Sequence, residues 1–211
     1  MGAFAVGVAL MLGFWSLRRT APAAENRPER KERQEKPDAR DLAMQADAKL
    51  REGQIADAEA LLDRAERADA ALDLVPLTRG RIAMTRRDYA LGRRMFESAL
   101  KLKESEEAHG DLADALFHTK EYAGAVEEAT KGKRLFTRAA AYAALERNEE
   151  ALRDYAAYTA EHPDDAGGWL NRGNHEMRMG LKERAIASWR KAIERDASLK
   201  DELEELIRKA G

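Results

Sequence analysis

The chain has 211 residues, 36% of them charged and 44% apolar, and it contains no cysteine. Its 37 basic against 39 acidic side chains leave a net charge of -2, which excludes a nucleic-acid binder dependent on bulk positive charge and an acidic tail protein alike. The lack of Cys excludes disulfide scaffolds, thiol catalysis, Cys-ligated zinc and lipoprotein acylation, while 41 alanines among abundant Glu, Arg and Leu favour helix throughout.

Met1 to Leu17 (MGAFAVGVALMLGFWSL) carries no charged side chain, and Arg18 and Arg19 follow at once. As a helix this run reaches about 26 Å, a little short of a ~30 Å hydrocarbon core. Trp15 and the two arginines can absorb the deficit at the headgroups. A transmembrane signal anchor over residues 1–19 is therefore expected, with a single pass through the inner membrane. The positive-inside rule puts Arg18, Arg19 and everything downstream in the cytoplasm. The rival reading is a cleaved signal peptide, which would export the remainder to the periplasm. Ala21-Pro22-Ala23 supplies an A-x-A cleavage pattern for it, but the basic residue expected before the apolar run is missing. Ala5, Ala9 and Gly13 form a small-residue stripe through which two anchors can self-associate.

Residues 20–38 (TAPAAENRPERKERQEKPD) hold Pro22, Pro28 and Pro37 and no large apolar side chain. Such a stretch buries too little apolar surface to offset its ordering entropy, so a disordered charged linker is expected. Its basic and acidic residues balance from Glu25 onward, which argues against a polybasic lipid-binding role.

From Ala39 the chain repeats with a 34-residue period. In the segment Ala166 to Leu199, Trp169 falls at position 4, Gly173 at 8, Gly180 at 15, Ala185 at 20, Trp189 at 24 and Ala192 at 27. From Gly132, Ala139 sits at 8, Tyr142 at 11, Ala151 at 20, Tyr155 at 24 and Pro163 at 32. From Asp73, Gly80 sits at 8, Tyr89 at 17, Gly92 at 20, Phe96 at 24 and Ala99 at 27. From Ala39, Ala46 sits at 8, Gly53 at 15, Ala58 at 20, Leu62 at 24 and Ala65 at 27. Residues 106–131 are a shortened copy with Leu112, Ala113, Leu116, Tyr122 and Ala125 in phase. Small residues at 8 and 20 let two helices approach closely, and the bulky residue at 24 fills the gap beside them. Each hairpin is too small to hold a core alone, so the repeats are stable only when stacked. Asp201 to Ala210 places Leu203, Leu206 and Ile207 on one face, which suits a helix closing the stack.

This phase resembles the tetratricopeptide repeat family, whose W-x2-L-G-x2-Y…A-x3-F…P pattern has the same period. The resemblance implies an all-α, right-handed solenoid of about five helical hairpins. Repeats over residues 39–72, 73–105, 106–131, 132–165 and 166–199 would be followed by a capping helix over 200–210. In layout, anchor then repeats, the chain is similar to membrane-anchored lipopolysaccharide-assembly members of that family, but it lacks their CxxC metal module. Arg79, Arg138 and Arg172 stand at position 7, where Leu is common. An aliphatic stem packed inside and a head reaching out explains them; an internal anion site is the sharper alternative.

The resemblance also implies a concave groove lined by helix A at positions 2, 5, 9, 12 and 13. Carried onto this chain, these give Leu74, Leu77, Arg81 and Met84, then Asp114, Phe117 and His118. They continue with Lys133, Phe136 and Ala140, then Leu170, Asn174, Met177 and Arg178. A groove of this composition suits an extended or helical segment of a partner protein. The carboxylate clamp of the chaperone-binding subclass is unsupported, because Leu77, Phe136 and Leu170 stand where its Lys is expected. Arg86, Arg87, Arg93 and Arg94 make the second repeat basic, either as a solvated face or as a docking patch for an acidic partner. His175-Glu176 opens an H-E-x-x-H pattern, but Met179 occupies the second ligand position. With no P-loop, dinucleotide fingerprint or G-x-S-x-G, no catalytic residue, metal site or cofactor is expected. The expectation is a membrane-tethered adapter that binds protein, not nucleic acid.

Overall fold

A computed structural model describes residues 38–210; the anchor expected over 1–19 and the linker expected over 20–38, save its last residue Asp38, lie outside that range. Among the described residues no helix is long and apolar enough to cross a membrane. They form eleven α-helices and no strand. Helices α1 (Ala39–Arg51) and α2 (Ile55–Ala68) make the first hairpin, α3 (Leu74–Thr85) and α4 (Tyr89–Leu102) the second, and α5 (Glu106–His118) and α6 (Tyr122–Lys131) the third. Helices α7 (Leu135–Ala144) and α8 (Asn148–Glu161) make the fourth, α9 (Ala166–Arg178) and α10 (Lys182–Arg195) the fifth, and α11 (Lys200–Ala210) closes the stack.

Hairpin geometry follows from where small residues sit. All the Ala and Gly residues at positions 8 and 20 of the five repeats are buried. Phe96 lies against Gly80, and Trp189 against Gly173, so closely that a Cβ at either glycine would clash with the ring, at 2.6 Å for Gly173. The bulky residues at position 24, Leu62, Phe96, Tyr155 and Trp189, are all buried, each contributing about 1.5–3 kcal/mol of apolar transfer. Leu203 of α11 is fully buried against Trp189 and Ala192, which covers the apolar end of the last hairpin.

Each first helix ends in the same turn. The amide two residues beyond the cap bonds back five residues, as in Gln54 to Lys49, Asp88 to Ala83, Glu121 to Leu116, Arg147 to Tyr142 and Leu181 to Glu176. This is the Schellman closure, which needs a left-handed residue. Gly53 and Gly180 take it freely, while Arg87, Lys120 and Glu146 hold φ of 60°, 65° and 59°. Helix starts are capped by Asp38, Asp88, Ser105 and Asp165, whose side chains accept from amides of the first turn.

Stacking is asymmetric. Each of α1, α3 and α5 touches the first helix of the next hairpin, whereas the second helices make no comparable contact with one another. The first helices therefore form the inner, more tightly packed row. That row loosens after α7, because α9 packs on α8 and α10 but has no comparable contact with α7.

The arginines at position 7 form structural pairs, not an anion site. Arg79 reaches Asp63 and Glu66 of α2, Arg138 makes two bonds to Asp154 of α8, and Arg172 bonds Thr159 of α8 and Glu176 of its own helix.

The third hairpin is the irregular one. Its second helix, α6, has ten residues against fourteen in α2, α4, α8 and α10. The chain therefore turns back early, and Gly132 lands on the backbone of α5. A Cβ there would lie 2.6 Å from Gly110 Cα and 2.9 Å from the Glu106 carbonyl oxygen. No rotamer relieves a clash with backbone. Gly132→Ala is expected to cost about 2 kcal/mol or more, read as a lowered urea midpoint. Gly124→Ala is the control, since its Cβ would meet only Leu116 at 3.4 Å and helix propensity favours it by up to ~1 kcal/mol.

Candidate functional site

The inner row carries a ladder of ion pairs. Arg81 on α3 donates to Asp47 of α1 at 2.9 Å, and to Asp111 and Glu107 of α5 at 2.7 Å and 2.5 Å. Asp111 in turn accepts from Arg134, at the N-cap of α7, at 2.9 Å. Burial works against the charge on Arg81, but Asp111 and Glu107 outweigh it and hold the guanidinium more firmly protonated than usual. The ladder leaves a shallow cavity of ≈ 300 Å³ on the α1 side, lined by Met44, Leu74, Thr78 and Arg81 among others.

A larger cavity of ≈ 650 Å³ is formed by α3, α5, α7 and the C-terminal end of α8. Met84, Asp114, Phe117, His118, Lys133, Phe136 and Ala140 all line it, so the structure brings together most of the groove residues named from the second, third and fourth repeats. Its walls are aromatic. The Phe117 ring lies 5.8 Å from His118, His118 stacks on Tyr89 at 4.3 Å, and Phe136 leans on Tyr158 at 5.2 Å. Asp114 accepts a hydrogen bond from the Thr137 hydroxyl. Burial raises its carboxyl above the ordinary range, and Thr137 and Arg134 only partly oppose this.

Other named residues lie elsewhere. Leu77 is 3% exposed and belongs to the core around Phe96 and Leu112, so it offers no groove surface. Leu74 is half-buried and faces the smaller cavity. Leu170 and Met177 pack on the Trp189–Leu203 core. Asn174 accepts from the Trp189 indole at 2.9 Å, and Arg178 donates to His175 Nδ1 at 3.0 Å. None of these last four lines either cavity. The basic patch is divided in the same way. Arg86 pairs with Glu59 and Arg93 with Glu97 and Glu121. Arg87 is the turn residue of its hairpin, and Arg94 is exposed.

Tyr158, Glu161 and His162 line the cavity from a second helix, which the helix-A rule does not consider. Tyr158 stands at position 27, where Ala65, Ala99 and Ala192 occupy the other full repeats. A large ring at a small-residue position was the available signal. Its hydroxyl donates to Asp165 at 2.7 Å, and burial with that bond pushes its pKa up to about 12.

The histidine of the incomplete zinc motif has a structural place. His175 is buried, accepts from Arg178 at Nδ1 and lies 3.3 Å from the Asn148 carbonyl through Nε2. That pattern belongs to the neutral ring, and burial lowers its pKa. Glu176 is fully buried between Arg172, Arg184 and the Ser188 hydroxyl. Among the described residues no cluster of His, Asp or Glu has the makings of a metal site.

A family model described as tetratricopeptide repeat matches residues 77–134 and 136–199. Among solved structures the chain is similar to MamA (residues 41 to the end) from Desulfovibrio magneticus RS-1, at 18% identity and a TM-score of 0.65 over 76% of this chain and 96% of that one. It is also similar to YrrB, described as having an unusual peptide-binding site, at 21% identity and 0.64 over 82% and 92%. PilW, described as a type IV pilus biogenesis factor, aligns at 18% identity and 0.74 over 82% and 85%. At these identities the likeness is one of fold. Among curated proteins no sequence matches the chain.

The raised carboxyl of Asp114 carries a stability consequence. Its folded pKa exceeds its unfolded one, so the folded state is penalised above the folded value and relieved as the pH falls to the unfolded value. Asp114→Asn is therefore expected to melt at a higher temperature than the parent at pH 7. The gap should close as the pH is lowered through the carboxylate range, as followed by circular dichroism.

Proposed function

The chain belongs to the tetratricopeptide repeat family, a protein-interaction scaffold and not an enzyme, and from that premise we propose that it is a membrane-tethered adapter. Its larger inner-face cavity captures an extended segment of a partner protein and holds it at the cytoplasmic face. The observation that carries this reading is the cavity of ≈ 650 Å³ walled by Phe117, Phe136 and Tyr158. Aromatic and thioether side chains left facing solvent in a concave surface are the usual mark of a ligand site. The tether rests on the charge-free Met1–Leu17 run and the Arg18–Arg19 pair that follows it. Export with a cleaved signal peptide is the second reading, supported by Ala21-Pro22-Ala23.

Crosslinked pulldown of the full chain from its native membrane supplies the partner. Phe117→Asp combined with Phe136→Asp should abolish its capture while the helical signal survives; persistent capture would remove the cavity from consideration. A reporter fused after Gly211 is expected to be active in the cytoplasm. Activity only on the periplasmic side would replace the tether with the exported form.

A further inference from the structure

The larger cavity carries an unbalanced charge. The two cations on its rim already have carboxylates: Lys133 lies 2.6 Å from Glu106, and Arg134 lies 2.9 Å from Asp111. Arg81, the next cation along the inner row, is held by Asp47, Glu107 and the same Asp111. His118 and His162 bring imidazoles to the rim, stacked on Tyr89 and leaning on Tyr158. Against these, Asp114 and Glu161 face the cavity, and neither makes an ion pair at contact distance among the described residues. Asp114 hydrogen-bonds only the Thr137 hydroxyl, and burial raises its carboxyl despite the more distant charge of Arg134. A carboxylate kept half-buried without a counter-charge costs stability, which fits a group reserved for a ligand.

Resting on the capture reading above, we propose that the cavity recognises a lysine or arginine side chain flanked by apolar residues in the captured segment. The cationic head meets Asp114 and Glu161, and the aliphatic stem packs on the aromatic walls. Phe136 and Tyr158 meet at 55° with their rings 5.2 Å apart, so a side chain entering the corner finds two ring faces, each attractive to a cation. The apolar neighbours in the segment fill the surface offered by Phe117 and Met84. An acidic segment meets two uncompensated carboxylates instead and is rejected.

The test uses the full chain in nanodiscs as bait for a displayed random dodecapeptide library, followed by anisotropy measurements on the enriched peptides. Enriched peptides should carry Lys or Arg beside an aromatic or aliphatic residue. Replacing that Lys by norleucine should weaken binding about ten-fold at low salt and less at high salt. In the double variant Asp114→Asn, Glu161→Gln the lysine-to-norleucine ratio should fall to about one, since the discriminating charge is gone. Enriched peptides that lack a basic residue yet lose binding in the Phe117→Asp, Phe136→Asp variant would overturn the cation preference and leave capture standing. Binding that survives that variant, or no enrichment at all, would overturn capture and the inference with it.

Discussion

The contact on which the site depends is the seating of Gly132 on Gly110. Helix α6 is a turn shorter than its counterparts, so the following chain arrives at α5 before it would in a full repeat. Only a residue without a Cβ can rest there against backbone. Two residues later Arg134 caps α7 and reaches Asp111, and Lys133, in the left-handed region, turns outward to Glu106. Helix α7 then runs close beside α5, near enough for Thr137 to bond Asp114. The composition of the cavity, Lys133 through Phe136 on one wall and Asp114 through His118 on the other, is a consequence of where that one turn lands.

Electrostatics fixes the register of the inner row more than its stability. Arg81 bridges three carboxylates from two other hairpins while remaining partly exposed. Pairs of that exposure are worth around 1 kcal/mol or less each after solvent screening. Their geometry is nonetheless demanding, because one guanidinium satisfies Asp47, Asp111 and Glu107 only when α1, α3 and α5 stand in one arrangement. The apolar contacts at positions 8, 20 and 24 supply the cohesion, and the ladder selects among the ways those surfaces could slide.

The hairpin packing was legible because its requirement is local and steric. A small residue opposite a large one, repeated at fixed spacing, leaves few ways to pair two helices, and the burial of Gly80 beneath Phe96 and of Gly173 beneath Trp189 follows from it. The site was legible only in part. Residues of α5 and α7 were named because a periodic groove places them there. Leu77 was misassigned because α3 lies between other helices and buries nearly all round, so its position in the repeat does not imply an inward-facing surface. Asn174 and Arg178 stay exposed on α9 but border neither cavity, because α9 makes no comparable contact with α7. Charge patterns were the least legible, since the partners of Arg86 and Arg93 lie 27 and 28 residues away in Glu59 and Glu121.

Where the row stops continuing is also where the cavity opens. Tyr158 occupies a position that other repeats give to Ala, and its ring presses toward α9, so that a Cβ on Gly168 would come within 2.7 Å of it. The hydroxyl ties this wedge to Asp165, which itself caps α9. A bulky side chain at a close-contact position has to be accommodated by whatever packs next, and here the accommodating residue is Gly168 of α9. The short α6 brings Gly132 onto the backbone of α5, and Tyr158 packs against the start of α9 at Gly168. A regular array of five hairpins would have a uniform groove. Here a second helix one turn short and a ring at a position other repeats give to Ala both border the aromatic and acidic side chains gathered between the third and fourth.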